Sequence, residues 1–61
     1  MNVEHLTARV RAEFLEMPDL RLTLSEAQRL LGLEADVCAR VVDILVDREF
    51  LRRRGTIITL A

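Results

Sequence analysis

Residues 23–53 read TLSEAQRLLGLEADVCARVVDILVDREFLRR, and the order of signals in this stretch sets the architecture. Thr23 and Glu26 have the spacing of a capping box. In that motif the threonine hydroxyl accepts the backbone N–H three residues on, and the glutamate reaches back to the threonine N–H. A helix is therefore expected from about Leu24, carrying Ala27, Leu30 and Leu31 inward. Gly32 closes it, because glycine readily takes the left-handed conformation that ends a helix. A longer helix is expected from about Ala35 to Glu49, followed by the β-prone Phe50-Leu51-Arg52-Arg53.

In the longer helix Asp36, Arg40, Asp43 and Asp47 recur at steps of four, three and four, which places them on one stripe. Val37, Cys38, Val41, Val42, Ile44, Leu45 and Val46 fill the rest of the circumference. A helix packed on one side needs an apolar stripe only a little over 100° wide, and this one has more. The surplus marks Val37, Ile44 and Val46 as candidates for contact with a protein partner. The polar stripe reads as a solvated face with local Asp–Arg pairs, each contributing a few tenths of a kcal/mol.

On the N-terminal side, Val3, Leu6, Val10, Phe14 and Met17 share a helical face. Asn2 is placed to cap the helix, and Pro18 stops it by forcing the preceding residue out of the α region. Leu20, Leu22 and Leu24 alternate with Arg21 and Thr23, the pattern of a very short strand. On the C-terminal side, Arg54-Gly55 separates two β-prone runs that end at Arg53 and begin at Thr56, a hairpin signal.

The chain has 61 residues, a single domain's worth, so its stability is marginal. One cysteine and one histidine, Cys38 and His5, make neither an internal disulfide nor a zinc set. A second copy, or a very efficient core, is the remaining source of stability. The N-terminus lacks the order of a signal peptide and no apolar run approaches membrane-span length. The expected compartment is the cytoplasm, where a lone thiol stays reduced.

Glycine-rich phosphate loops and Ser/His/Asp sets are absent, so no catalysis, no cofactor and no small-molecule substrate are expected. Net charge is −1, whereas nucleic-acid modules are usually basic. All nine cations are arginine, and Arg52, Arg53 and Arg54 sit together with no acid beside them.

The order helix, short strand, helix, helix, hairpin is similar to the winged helix-turn-helix fold. The sequence resembles the DNA-binding domains of bacterial winged-helix transcription regulators. The match covers Leu22 to Leu60. It rests on Leu24-x-Glu26-Ala27-x-x-Leu30-x-Gly32-Leu33, then Cys38, Val41, Val42 and Leu45, then Phe50-Leu51. The resemblance implies a mainly α fold of three helices plus a short C-terminal wing hairpin, acting on double-stranded DNA as a homodimer.

On that resemblance the third helix lies in the major groove, with Arg40 and Val37 at the base edges. Ser25 and Arg29 meet the backbone, and Arg52, Arg53 and Arg54 grip it from the wing. Two departures stand out. Gln28 replaces a small alanine usual in the second helix. The exposed front of the third helix carries Glu34, Asp36 and Asp43 where such regulators place Ser, Thr, Arg, Gln or Asn. Carboxylates there oppose the phosphate charge that supplies most of the affinity. The alternative is a protein-interaction module using Val37, Ile44 and Val46. For the arginine cluster the alternative is a charged edge strand that resists aggregation.

Overall fold

The capping box forms as the spacing dictates: Thr23 Oγ1 accepts from the Glu26 N–H at 3.1 Å, and Glu26 Oε1 accepts from the Thr23 N–H at 2.9 Å. The computed structural model describes residues 2–61. Its elements run α1 (Val3–Glu16), β1 (Leu22–Thr23), α2 (Leu24–Leu31), α3 (Ala35–Asp47), β2 (Leu51–Arg54) and β3 (Ile57–Leu60). The described residues thus form three helices and one small antiparallel sheet, mainly α by content. No described helix is long and apolar enough to cross a membrane.

Asn2 caps α1 by accepting from the His5 N–H at 3.2 Å. The helix ends at Glu16, one residue short of the expected Met17, whose side chain is exposed beside Pro18. The buried stripe of α1 is Thr7, Val10 and Phe14. Thr7 is polar yet buried, and its hydroxyl donates to the Val3 carbonyl at 2.7 Å, so no donor is left orphaned.

Gly32 closes α2 at φ +65°, and the Leu33 N–H donates to the Gln28 carbonyl at 3.1 Å. Leu30, expected inward, is 48% exposed. Ala27 and Leu31 are four residues apart and take the core side, and Leu30 lies about 100° away from Leu31. Gln28 is half-buried at its departure from the resembled pattern.

α3 ends at Asp47 rather than Glu49. Glu49 adopts φ +60°. Its N–H donates to the Val46 carbonyl at 3.0 Å, and the Phe50 N–H donates to the Leu45 carbonyl at 2.9 Å. This is the paired closure of a Schellman turn, with glutamate where glycine is usual. It turns the chain straight into β2.

The hairpin turns on Gly55-Thr56, with Arg54 opposite Ile57. Gly55 has φ +57° and Thr56 does not share the positive φ, the arrangement of a type II′ connection. β1 joins the far side of β3, giving the order β1-β3-β2. α3 is the centre of the core: Cys38, Val41, Val42 and Leu45 are buried against Val10, Phe14, Ala27, Leu31, Leu51 and Ile58. The helices therefore cover one face of the sheet and leave the other to solvent.

Candidate nucleic-acid interface

The residues assigned to DNA contact fall on three elements. Ser25 and Arg29, four apart on α2, are exposed on the side away from Ala27 and Leu31. Arg40 is exposed on α3 in line with Asp36, Asp43 and Asp47, which are exposed too. Arg52, Arg53 and Arg54 make up most of the edge strand β2 and are exposed.

The arginines differ in what holds them. Arg53 Nη1 lies 3.5 Å from Asp43 Oδ1, so a hairpin cation is tied to the α3 acid stripe. The expected Asp–Arg pairs along α3 itself do not form: among the described residues Arg40 has no carboxylate at ion-pair distance. Asp36 instead accepts from the neighbouring Val37 N–H. Arg48 pairs with Glu4 at 3.0 Å, and the Arg11 guanidinium lies 5.1 Å from the centre of the Phe50 ring. Both of those cations serve to fasten α1 to the C-terminal half.

The surplus apolar arc of α3 is divided between its two flanks. Val37 and Ile44 are seven residues apart and share a side within about 20°, whereas Val46 is turned about 180° from Val37. Val37 borders a shallow apolar dent with Leu6, Gly32 and Leu33. Val46 lies beside Leu51, Arg52 and Arg53 of the hairpin. Val37 and Val46 both pack against the core, and half-buried Ile44 is not in that set. The three residues therefore do not make one patch, because the short helix presents them on opposite sides.

Sequence reasoning missed Arg21. It stands just before β1 and lines a hollow with Arg52, Arg54, Ile57 and Thr59, on the sheet face turned away from the helices. The signal was present only as alternation: Arg21 and Thr23 are out of phase with Leu20, Leu22 and Leu24. That β1 pairs with β3, and so brings Arg21 toward Arg52, is a long-range fact that no local pattern carries.

Cys38 is 1% exposed, and burial pushes its thiol above the ordinary value. That is the state of a packed apolar residue rather than an activated nucleophile. No known family model matches the chain, and no curated protein or solved structure is significantly similar to it.

Proposed function

We propose that this chain is a non-catalytic winged-helix module that binds double-stranded DNA, holding the phosphate backbone mainly through its hairpin. The observation that carries the reading is the state of the hairpin arginines. Arg52 and Arg54 are exposed and, among the described residues, have no carboxylate at ion-pair distance. Arg29 and Arg40 are free in the same sense. The element order, with a strand before α2 pairing into the C-terminal hairpin, supports the winged-helix assignment.

The α3 stripe supports backbone contact better than base reading. It offers one arginine among three aspartates, and carboxylates at a groove are repelled by the phosphates on both sides. Four free arginines, Arg29, Arg40, Arg52 and Arg54, would neutralise about four phosphates. The logarithm of affinity then falls against that of salt with a slope of about −3.6, close to a hundredfold loss between about 50 and 200 mM. Acting as a homodimer, the protein would double that slope.

The test is a salt series on generic duplex DNA by fluorescence anisotropy, with native mass measured in parallel. The expected result is a slope near one of those two values, matched to one or two copies of the 7.0 kDa chain. Simultaneous Arg52→Glu, Arg53→Glu and Arg54→Glu should abolish binding. Salt-independent binding, or none at low salt, overturns the reading.

A further inference from the structure

Among the described residues the outward face of the sheet carries only positive charge. Leu51, Ile58 and Leu60 turn toward the helices, so the alternate residues Arg52, Arg54, Ile57 and Thr59 turn outward. The register sets Arg52 opposite Thr59 and Arg54 opposite Ile57. On the other side Leu22 is opposite Ile58, and Arg21, just before β1, lines the same hollow as Thr59. Thr59 of the central strand thus has Arg52 of β2 opposite it and shares the hollow with Arg21, which precedes β1. Arg21, Arg52, Arg54, Ile57 and Thr59 line a hollow of about 320 Å³.

Among the described residues none of the three arginines has a carboxylate at ion-pair distance. The Thr59 hydroxyl donates to the Leu60 carbonyl at 3.1 Å, so the donors facing the hollow are guanidinium groups. Backbones two strands apart are separated by about 10 Å, and outward neighbours along a strand by about 7 Å. Three long cations at such spacings repel one another until an anion sits among them. Guarding two sheet edges against self-pairing needs charge of either sign. Cations from both edges converging over the central strand are better suited to a small oxyanion, whose oxygens match the guanidinium fork.

We infer that this hollow binds one phosphate group, held by Arg21, Arg52 and Arg54. The group is either inorganic or monoester phosphate, or a phosphodiester of a nucleic-acid strand. The inference extends the DNA reading, with which it shares Arg52 and Arg54: Arg21 has no part in that reading, and a discrete site for one phosphate group is not required by it.

The test follows the arginine Nε–Hε resonances of the whole chain by nitrogen-edited NMR at constant chloride. Inorganic phosphate and a short oligothymidylate without a terminal phosphate are titrated separately. Saturable shifts confined to Arg21, Arg52 and Arg54 are expected with at least one of them, and which one saturates names the source. Arg21→Gln, at an exposed position, should weaken binding about tenfold. Arg9→Gln, exposed on α1, should leave it unchanged.

Unsaturable shifts with both probes, shifts spread over all nine arginines, or an Arg21→Gln chain that binds as wild type would overturn the site. Duplex binding with saturation by neither probe removes this site alone. Saturation by either probe without duplex binding removes the DNA reading alone.

Discussion

Replacing Asp43 by asparagine should strengthen the proposed DNA binding, and the structure sets how much. Asp43 Oδ1 is 3.5 Å from Arg53 Nη1, with the two side chains 66% and 43% exposed. A pair that open to water contributes about 0–1 kcal/mol to stability, so the folded state should be nearly untouched. Binding changes through two effects. Removing a carboxylate about 10 Å from a phosphate relieves ~0.4 kcal/mol of repulsion in water. Releasing Arg53 to meet a phosphate adds about 1 kcal/mol, the upper range for an exposed pair. Together they give about 1.4 kcal/mol, or a tenfold gain in affinity. The salt slope should steepen by about 0.9, because one more counterion is released. In an Arg53→Gln background the gain from Asp43→Asn should shrink to about twofold, since only the repulsion is then relieved. Fluorescence anisotropy on one duplex at several salt concentrations reads all four chains of the cycle. A folded Asp43→Asn protein that binds no better than wild type, or a tenfold gain that survives Arg53→Gln, refutes the reasoning.

Three further outcomes concern the fold that presents these arginines. Glu49→Gly should stabilise the protein by about 0.5 kcal/mol, because the strain of a left-handed non-glycine residue exceeds the added entropy of the unfolded chain; thermal denaturation should show a rise of a few degrees. Thr23→Ala removes the capping box and should cost about 1 kcal/mol, lowering the melting temperature by about 4–8 °C. Burial raises the Cys38 thiol above its ordinary value of 9.0, so above that pH the unfolded chain loses a proton that the native one keeps. The stability from Cys38 is whole below pH 9.0 and is lost as pH rises through the higher native value. A urea midpoint that falls in this range for wild type but less for Cys38→Ala is the expected result, with thiol labelling of the native protein limited by unfolding.

What was legible in the sequence was what a few neighbouring residues decide. The capping box at Thr23 and Glu26, the left-handed Gly32 and the Asn2 cap are each built within four residues, and each formed. The end of α3 was not legible, because its closure uses Glu49 at a position where glycine or asparagine would have announced it. Leu30 was misplaced because α2 is only eight residues long, too short for an apolar stripe to be separated from its neighbours by periodicity. The candidate site suffered most from missing long-range facts. The tie between Arg53 and Asp43 and the meeting of Arg21 with Arg52 depend on how strands pair. For Val37, Ile44 and Val46 the converse holds: spacing alone sets Val46 about 180° from Val37, so the three candidate contact residues divide between two flanks of α3.

The charges that cancel to a net −1 are separated in space. Among the described residues the charges on the sheet's outward face are arginines, and the α3 stripe bears three aspartates with Arg40. A polyanion approaching such a surface is attracted by one side and repelled by the other, so the proposed complex is oriented before any close contact forms. That orientation works against sequence reading. Phosphate contacts fix position, while base edges carry the sequence information. A helix whose exposed stripe is mostly carboxylate is held back from the groove by the phosphates that draw the hairpin in. Arg40 alone has the donor fork that recognises a guanine edge. For the proposed complex, affinity without marked selectivity is therefore the expectation from the same residues. It also follows that Asp43→Asn, by freeing Arg53 for the backbone, should tighten binding to every duplex alike and leave the preference among them where it was.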